Sequence, residues 1–211
     1  MVEPLPPAVA ATAKHRCMLC AGTTFADLVV PGELAISGYP PEDLVLKPAF
    51  QEACEAAAGR VAAATADGGP AVLITTPWRT DGRLYNAALL ADGGKIQAAR
   101  FKHDLPNYGV FDEKRVFAPG PMPGPMVCRG VRVGVPICED IWTPDVPECL
   151  VESGAEILLV PNGSPYESDK QDQRLNLAIQ RVGETGLPLV ALPEAKRTAL
   201  LACMQRHGLL G

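Results

Sequence analysis

The chain alternates short apolar runs typical of buried strands with stretches of helical period, and this alternation is the strongest constraint on its fold. Proline and glycine bound most of the apolar runs, as turn residues do at strand ends. The pattern predicts strands at 26–30, 71–76, 131–137, 155–161 and 187–192, a hairpin within 84–103 that turns at Asp92-Gly93-Gly94, and helices at 48–66, 144–153 and 169–182. Strands separated by helices predict an α/β layered fold built as one domain.

Composition and charge argue against several classes of protein. Hydrophobic residues make up 47% of the 211 residues and charged residues 20%, as in ordinary globular proteins. A net charge of −5 disfavours a nucleic-acid partner, and no apolar run is long enough to span a membrane. The N-terminus lacks the features of a signal peptide, so we expect a cytoplasmic protein whose seven cysteines are free thiols. Cys17 and Cys20 form a lone C-x-x-C without further ligands, so we predict no metal site.

Three polar residues follow predicted strands directly, at the place where α/β sheets carry their chemistry. They are Glu33, Lys102 and Cys138. A thiolate attacks carbonyl carbons, a carboxylate can take the thiol proton, and an ammonium can stabilise both the thiolate and the oxyanion formed on attack. The three residues are therefore a coherent site for acyl transfer. Residues of these types are nevertheless common after strands, so their chemistry alone is a weak signal.

Four longer stretches strengthen this interpretation because of their order and their residues. "GELAISGYPPEDL", "FKHDLPNYGVFDEKRVF", "VGVPICEDIW" and "NGSPYESDK" closely resemble the nitrilase-like (carbon-nitrogen hydrolase) glutaminase domain of glutamine-dependent NAD synthetases. The string "LPNYGVFDEKR" distinguishes this family from generic nitrilases. The resemblance divides the chain into an atypical segment 1–25, a glutaminase domain 26–192 and an atypical tail 193–211. It implies an αββα sandwich, which we expect to be incomplete because the family pattern is truncated at both ends.

The resemblance also implies a role for each matching residue. Glu33 is the expected general base, Lys102 the electrostatic partner, and Cys138 the nucleophile that forms a thioester with glutamine and releases ammonia. Glu113 matches a supporting acid near the lysine. Three residues match positions that contact the bound glutamine: Tyr108, Ser164 and Lys170.

Every one of these residues also has a purely structural interpretation. Cys138 alone would be a buried core thiol, Glu33 a cap, and Lys102 a solvated strand end. Without the resemblance, the other four would be a packing ring (Tyr108), a turn residue (Ser164) and surface charges (Glu113 and Lys170). The ordered motifs together favour the functional interpretation.

The implied partners are glutamine and a synthetase domain or chain, which uses ATP and the released ammonia to amidate deamido-NAD. The chain itself carries no predicted cofactor site, because ATP would belong to the synthetase domain, and the family implies a homo-oligomer. Two alternatives stay open. One is a standalone nitrilase-type amidase that acts on a small carboxamide. The other is a catalytically silent fragment that contributes only interfaces.

Overall fold

The structure is a computed structural model that describes residues 26–164 and 170–191. Within these residues the strands form two four-stranded sheets. The first sheet has the order β1 (Leu28–Val29), β2 (Ala71–Thr80), β3 (Arg83–Asp92), β4 (Lys95–Phe101), in which β1 runs parallel to β2 and the later pairs are antiparallel. The second has the order β5 (Met126–Cys128), β6 (Val131–Gly134), β7 (Ile157–Val160), β8 (Leu189–Ala191), in which β5 and β6 are antiparallel and the other pairs are parallel.

Helices cover the outer face of each sheet. Helix α1 (Pro48–Ala64) begins with a proline, which suits the first helical position because its missing N–H has no helical partner there. The small residues Ala58 and Ala62 of α1 pack on Ile74, Ala87 and Leu89 of the first sheet. A one-turn helix, α2 (Glu113–Val116), follows β4, while α3 (Asp145–Glu152) and α4 (Lys170–Thr185) lie against the second sheet.

The inner faces of the two sheets pack against each other. Leu73, Ala88 and Leu90 of the first sheet share one buried cluster with Val133 and Leu159 of the second. The layers therefore run helix, sheet, sheet, helix. This arrangement confirms the predicted α/β layered fold and the αββα sandwich.

Two predicted strand ends were wrong, and one strand was missed. The strand predicted at 71–76 continues through Pro77 to Thr80, because a tight turn at Asp81-Gly82 pairs it with β3. Both turn residues have positive φ, 50° and 71°, as in a type I′ hairpin turn. The strand predicted at 131–137 ends at Gly134, and 135–137 lead into the left-handed backbone of Cys138. Strand β5 has only three residues, too few to show an alternating pattern.

The remaining predicted elements appear close to their expected positions. The hairpin turn at Gly93-Gly94 has φ values of 61° and 85°, which confirms the expected positive φ. In the described ranges no helix is long and apolar enough to cross a membrane. Cys17, Cys20 and the ends of the chain at 1–25 and 193–211 lie outside the described residues, and the predicted domain boundaries stay predictions.

The inter-sheet cluster generates a stability prediction. Leu73→Ala, at a side chain that is 1% exposed, should lower the free energy of unfolding by about 2–5 kcal/mol, because it removes buried methyl groups and leaves a cavity. Val127→Ala on β5, where the valine is 62% exposed, should change it by less than about 1 kcal/mol. Urea unfolding followed by circular dichroism measures both. Equal losses in the two variants would contradict the assigned core.

Candidate active site

Glu33 lies in the segment that follows β1, and neighbouring strand β2 holds that segment in place. The N–H of Ala35 donates to Thr75 Oγ1 at 3.0 Å, and the N–H of Ile36 donates to the Thr75 carbonyl at 3.1 Å. Leu34 has a φ of 47° and is fully buried, so the backbone turns sharply beside Glu33. The carboxylate of Glu33 is therefore buried and directed by a constrained turn.

Lys102 follows β4, and its ammonium lies between two carboxylates. The Nζ atom donates to Glu33 Oε1 at 2.7 Å and to Glu113 Oε1, at the start of α2, at 2.8 Å. Lys102 is completely buried. Burial by itself lowers the pKa of Lys102, but Glu33, Cys138 and Glu113 raise it above its ordinary value. Lys102 is thus a permanent cation with two of its three N–H donors engaged by these carboxylates.

Two neutral side chains complete the carboxylate network. Asn86 Nδ2, in the middle of β3, donates to Glu33 Oε1 at 2.8 Å, and the Tyr39 hydroxyl donates to Glu113 Oε1 at 2.8 Å. Burial, followed by the charges of Glu33 and Glu113, raises the pKa of Tyr39 far above its usual range, so the phenol stays a donor. Glu33 Oε2 is buried and has no hydrogen-bond partner among the described residues. One oxygen of Glu33 is therefore available to a reacting group.

Cys138 occupies a strained turn after β6, on the opposite sheet. Its φ is 47°, uncommon for a non-glycine residue, and its N–H donates to the Pro161 carbonyl at 3.0 Å. The Sγ atom donates to Asn162 Oδ1 at 2.9 Å and lies 3.4 Å from Ser164 Oγ. The thiol is thus presented at a strand end by backbone strain, a feature that clusters at functional sites.

The Cys138 thiol is protonated in the resting site. Burial raises its pKa well above the ordinary value, and the Glu33 charge raises it further, whereas Lys102, Ser164 and the N–H of Gly163 lower it. A protonated thiol is a poor nucleophile, so attack requires transfer of its proton to a base. Glu33 is the carboxylate that acts on the thiol most strongly.

Gly163 leaves room for Glu33 and Tyr39 to lie close to the chain segment that follows β7. A Cβ at this position would lie 2.9 Å from Glu33 Oε2 and 3.2 Å from Tyr39 Cγ. A side chain at this position would therefore displace the Glu33 carboxylate or the Tyr39 ring. A glycine after strand β7 is therefore part of the site although it carries no chemistry.

An open cavity of about 660 Å³ is lined by residues that directly follow the buried groups in the chain, among them His103, Lys114 and Glu139. Tyr108, which is 51% exposed, lines it and donates through its hydroxyl to Glu139 Oε1 at 2.9 Å. Burial and the Glu139 carboxylate raise the pKa of Tyr108 to about 12. Burial raises the pKa of Glu139 as well. The cavity thus offers a carboxylate and a neutral hydroxyl to a polar ligand.

The structure brings together Glu33, Lys102, Glu113 and Cys138, and it places Ser164 against the thiol and Tyr108 at the cavity. The side chain of Lys170 lies outside the described part of the chain. These residues' roles stay predictions. Among residues 26–164 and 170–191, no group of three or more His, Cys, Asp or Glu is placed to hold a metal ion.

Sequence reasoning missed four residues of the site: Tyr39, Asn86, Glu139 and Asn162. Two of them carried a usable signal. Asn86 is a polar residue inside an apolar strand, "LYNAALL", and Asn162 directly follows a strand, where α/β sheets place their chemistry. Tyr39 acts through a residue 74 positions away, so no local pattern marks it.

Comparison with known proteins agrees with this geometry. The carbon-nitrogen hydrolase family model matches residues 8–198, so the chain belongs to the carbon-nitrogen hydrolase family. Two curated relatives are glutamine-dependent NAD(+) synthetases, from Rhodobacter capsulatus at 47% identity over 167 residues and from Xanthomonas campestris at 46% over 169 residues. The matches cover 79% of this chain and 30% of each relative. The chain thus spans about 30% of the length of the curated relatives that it matches.

Solved structures show the same fold. The glutamine-dependent NAD+ synthetase of Acinetobacter baumannii, in complex with ADP, has a TM-score of 0.72 and 34% identity over 79% of this chain and 31% of that one. An amidase from Nesterenkonia sp. AN1 with acrylamide added at its active-site cysteine has a TM-score of 0.66 and 26% identity, over 78% of this chain and 63% of that one. These neighbours confirm the nitrilase-like sandwich.

The charge of Lys102 generates a prediction about Cys138. Lys102→Met should raise the pKa of the thiol further, because the ammonium lowers it. Alkylation by iodoacetamide at mildly alkaline pH should then slow by roughly tenfold for each pH unit by which that pKa rises. Rates measured as a function of pH test this. Lys95→Met, at an exposed position of β4, is the matched control. If Lys102→Met and the parent are both folded by circular dichroism and have equal rate–pH profiles, Lys102 does not stabilise the Cys138 thiolate.

Proposed function

We propose that this chain is the glutaminase portion of a glutamine-dependent NAD(+) synthetase, which hydrolyses the carboxamide of glutamine through a thioester on Cys138. The observation that carries the proposal is the buried contact of Lys102 with Glu33 beside the Cys138 thiol. The family membership and the names of the relatives support the same reaction class.

The first half of the reaction forms the thioester. Glu33 accepts the thiol proton as Sγ of Cys138 attacks the amide carbon, and the carbonyl oxygen becomes an oxyanion. The third N–H of Lys102 suits that oxyanion, because a buried cation stabilises developing charge strongly. The C–N bond then breaks, Glu33 returns the proton to the leaving nitrogen, and ammonia departs.

The second half restores the enzyme. A water molecule loses a proton to Glu33 and attacks the thioester carbon, again forming an oxyanion near Lys102. The C–S bond breaks, the thiolate takes the proton from Glu33, and glutamate leaves. Glu113 and Asn86 hold Lys102 and Glu33 in place through both halves, because they contact the same two groups.

The cavity supports an amino-acid amide as the substrate. Glu139 lines it with a carboxylate, which suits the α-ammonium of glutamine, and Tyr108 fixes that carboxylate by a hydrogen bond. A small aliphatic carboxamide has no ammonium to pair with Glu139. The standalone amidase stays the second candidate, favoured by the likeness to the Nesterenkonia amidase, of which the chain covers 63%.

The fate of the ammonia is proposed from the relatives. The chain spans about 30% of the length of relatives named glutamine-dependent NAD(+) synthetases, which leaves room in them for a synthetase domain. Such a domain, or a separate synthetase chain, would use ATP and the ammonia to amidate deamido-NAD. A homo-oligomer remains part of this proposal.

The nucleophile is tested with a glutamine-like diazoketone that alkylates glutaminase cysteines. Intact-mass spectrometry should find a single adduct on Cys138, and excess glutamine should block it. Cys138→Ala should lose both the adduct and ammonia release, whereas Cys149→Ala, on the outer helix α3, should keep both. Folded protein without an adduct would favour the catalytically silent fragment.

The substrate is tested at Glu139. Glu139→Gln should raise KM for glutamine by roughly tenfold, since it removes a charge-assisted contact, and should leave hydrolysis of propionamide unchanged. Glu148→Gln, exposed on α3, is the control. Propionamide turnover faster than glutamine turnover in the parent would favour the standalone amidase instead.

A further inference from the structure

A fully buried carboxylate that the proposed reaction does not use joins the two halves of the site. Asp140, two residues after the nucleophile, is completely inaccessible to solvent. Its Oδ1 accepts the N–H groups of His103 at 3.0 Å and Asp104 at 2.7 Å. Its Oδ2 accepts the N–H of Ile137 at 2.9 Å and Nη2 of Arg100 at 3.1 Å.

The three backbone donors are the immediate neighbours of the two reacting groups. His103 and Asp104 directly follow Lys102, whereas Ile137 directly precedes Cys138. Lys102 extends the first sheet and Cys138 extends the second. One carboxylate therefore connects the chain segments that carry the ammonium and the thiol across the interface between the sheets.

Arg100 makes this connection stable as an ion pair. Arg100 lies two residues before Lys102 in the chain. Its guanidinium is 5% exposed and contacts the Asp140 carboxylate. Burial raises the pKa of Asp140, while Arg100 and the backbone donors lower it. A buried carboxylate with a paired cation and three backbone donors is rigid, because each lost partner leaves an unsatisfied buried group.

We propose that Asp140, paired with Arg100, is the positioning residue that sets the separation of Cys138 from Lys102. This positioning role rests on the proposed function only in that Cys138 and Lys102 are taken as the two reacting groups. Loss of the carboxylate frees the two segments to move apart, so the Cys138 thiolate loses part of its stabilisation by the ammonium.

The direction of the effect distinguishes positioning from simple charge. The pKa of Cys138 also depends on Glu33, Gly163 and Ser164, and the charge of a Cys138 thiolate would raise the pKa values of Tyr39 and Tyr108. Removing a nearby negative charge would by itself favour the thiolate and lower the pKa of Cys138. A loss of the contact between thiolate and ammonium raises that pKa instead.

Asp140→Asn is the test, because it keeps the size of the side chain and removes its charge. The rate of Cys138 alkylation by iodoacetamide, measured against pH in the full chain, should shift to higher pH and slow by roughly tenfold at mildly alkaline pH. Asp92→Asn, which breaks the half-buried pair with Arg129 at the end of β3, is the matched control and should leave the profile unchanged. In a Lys102→Met background, Asp140→Asn should cause no further upward shift.

Two results would overturn the proposal. One is a folded Asp140→Asn variant with lower thermal stability but the parental alkylation profile. The other is an upward shift that persists in full without Lys102.

Arg100→Lys is the second variant if Asp140→Asn does not fold, because it keeps the charge and shortens the donor. It should shift the alkylation profile in the same direction by less. A parental profile in this variant would again overturn the proposal. Glutamine protection plays no part in this readout, so failure of the proposed function stays distinguishable.

Discussion

The ammonium of Lys102, buried between Glu33 and Glu113, is the interaction on which the rest of the site depends. A buried cation needs partners, because removing one member of a buried pair typically costs about 3–5 kcal/mol. Burial and the neighbouring Glu33 raise the pKa of the Cys138 thiol, and Lys102 opposes them. The thiol therefore stays protonated until its proton is transferred to a base.

The sandwich gives this charge cluster its frame. Glu33, Lys102 and Asn86 come from the first sheet or its end, whereas Cys138 and Ser164 follow strands of the second. The apolar core between the sheets holds the two sets together, since packed interiors resist displacement. Helices α1 and α3 cover the outer faces of the two sheets, and the open cavity beside Tyr108 is lined by His103 and Glu139, which directly follow Lys102 and Cys138 in the chain.

Much of the fold could be predicted from local pattern. Apolar runs predicted the strands β1, β2, β6, β7 and β8 and the hairpin of β3 and β4, and stretches of helical period predicted the helices α1, α3 and α4. The Gly93-Gly94 turn was predicted from the conformational freedom of its glycines. The error at the end of β2 occurred where strand pairing overrode a local signal. Pro77 stays inside β2 because its partner strand β3 continues past it to Arg83.

The sequence by itself determined the residue types, their order and their placement after strands, because these follow from periodicity and from the motifs. It therefore predicted Glu33, Lys102 and Cys138 as a group, and with the resemblance also Glu113. Only the tertiary structure decided the state of those groups. The permanent charge of Lys102, the protonated thiol of Cys138 and the four hydrogen bonds of Asp140 depend on burial and on contacts between segments far apart in the chain. Burial and distance across two sheets exist only once the chain has folded.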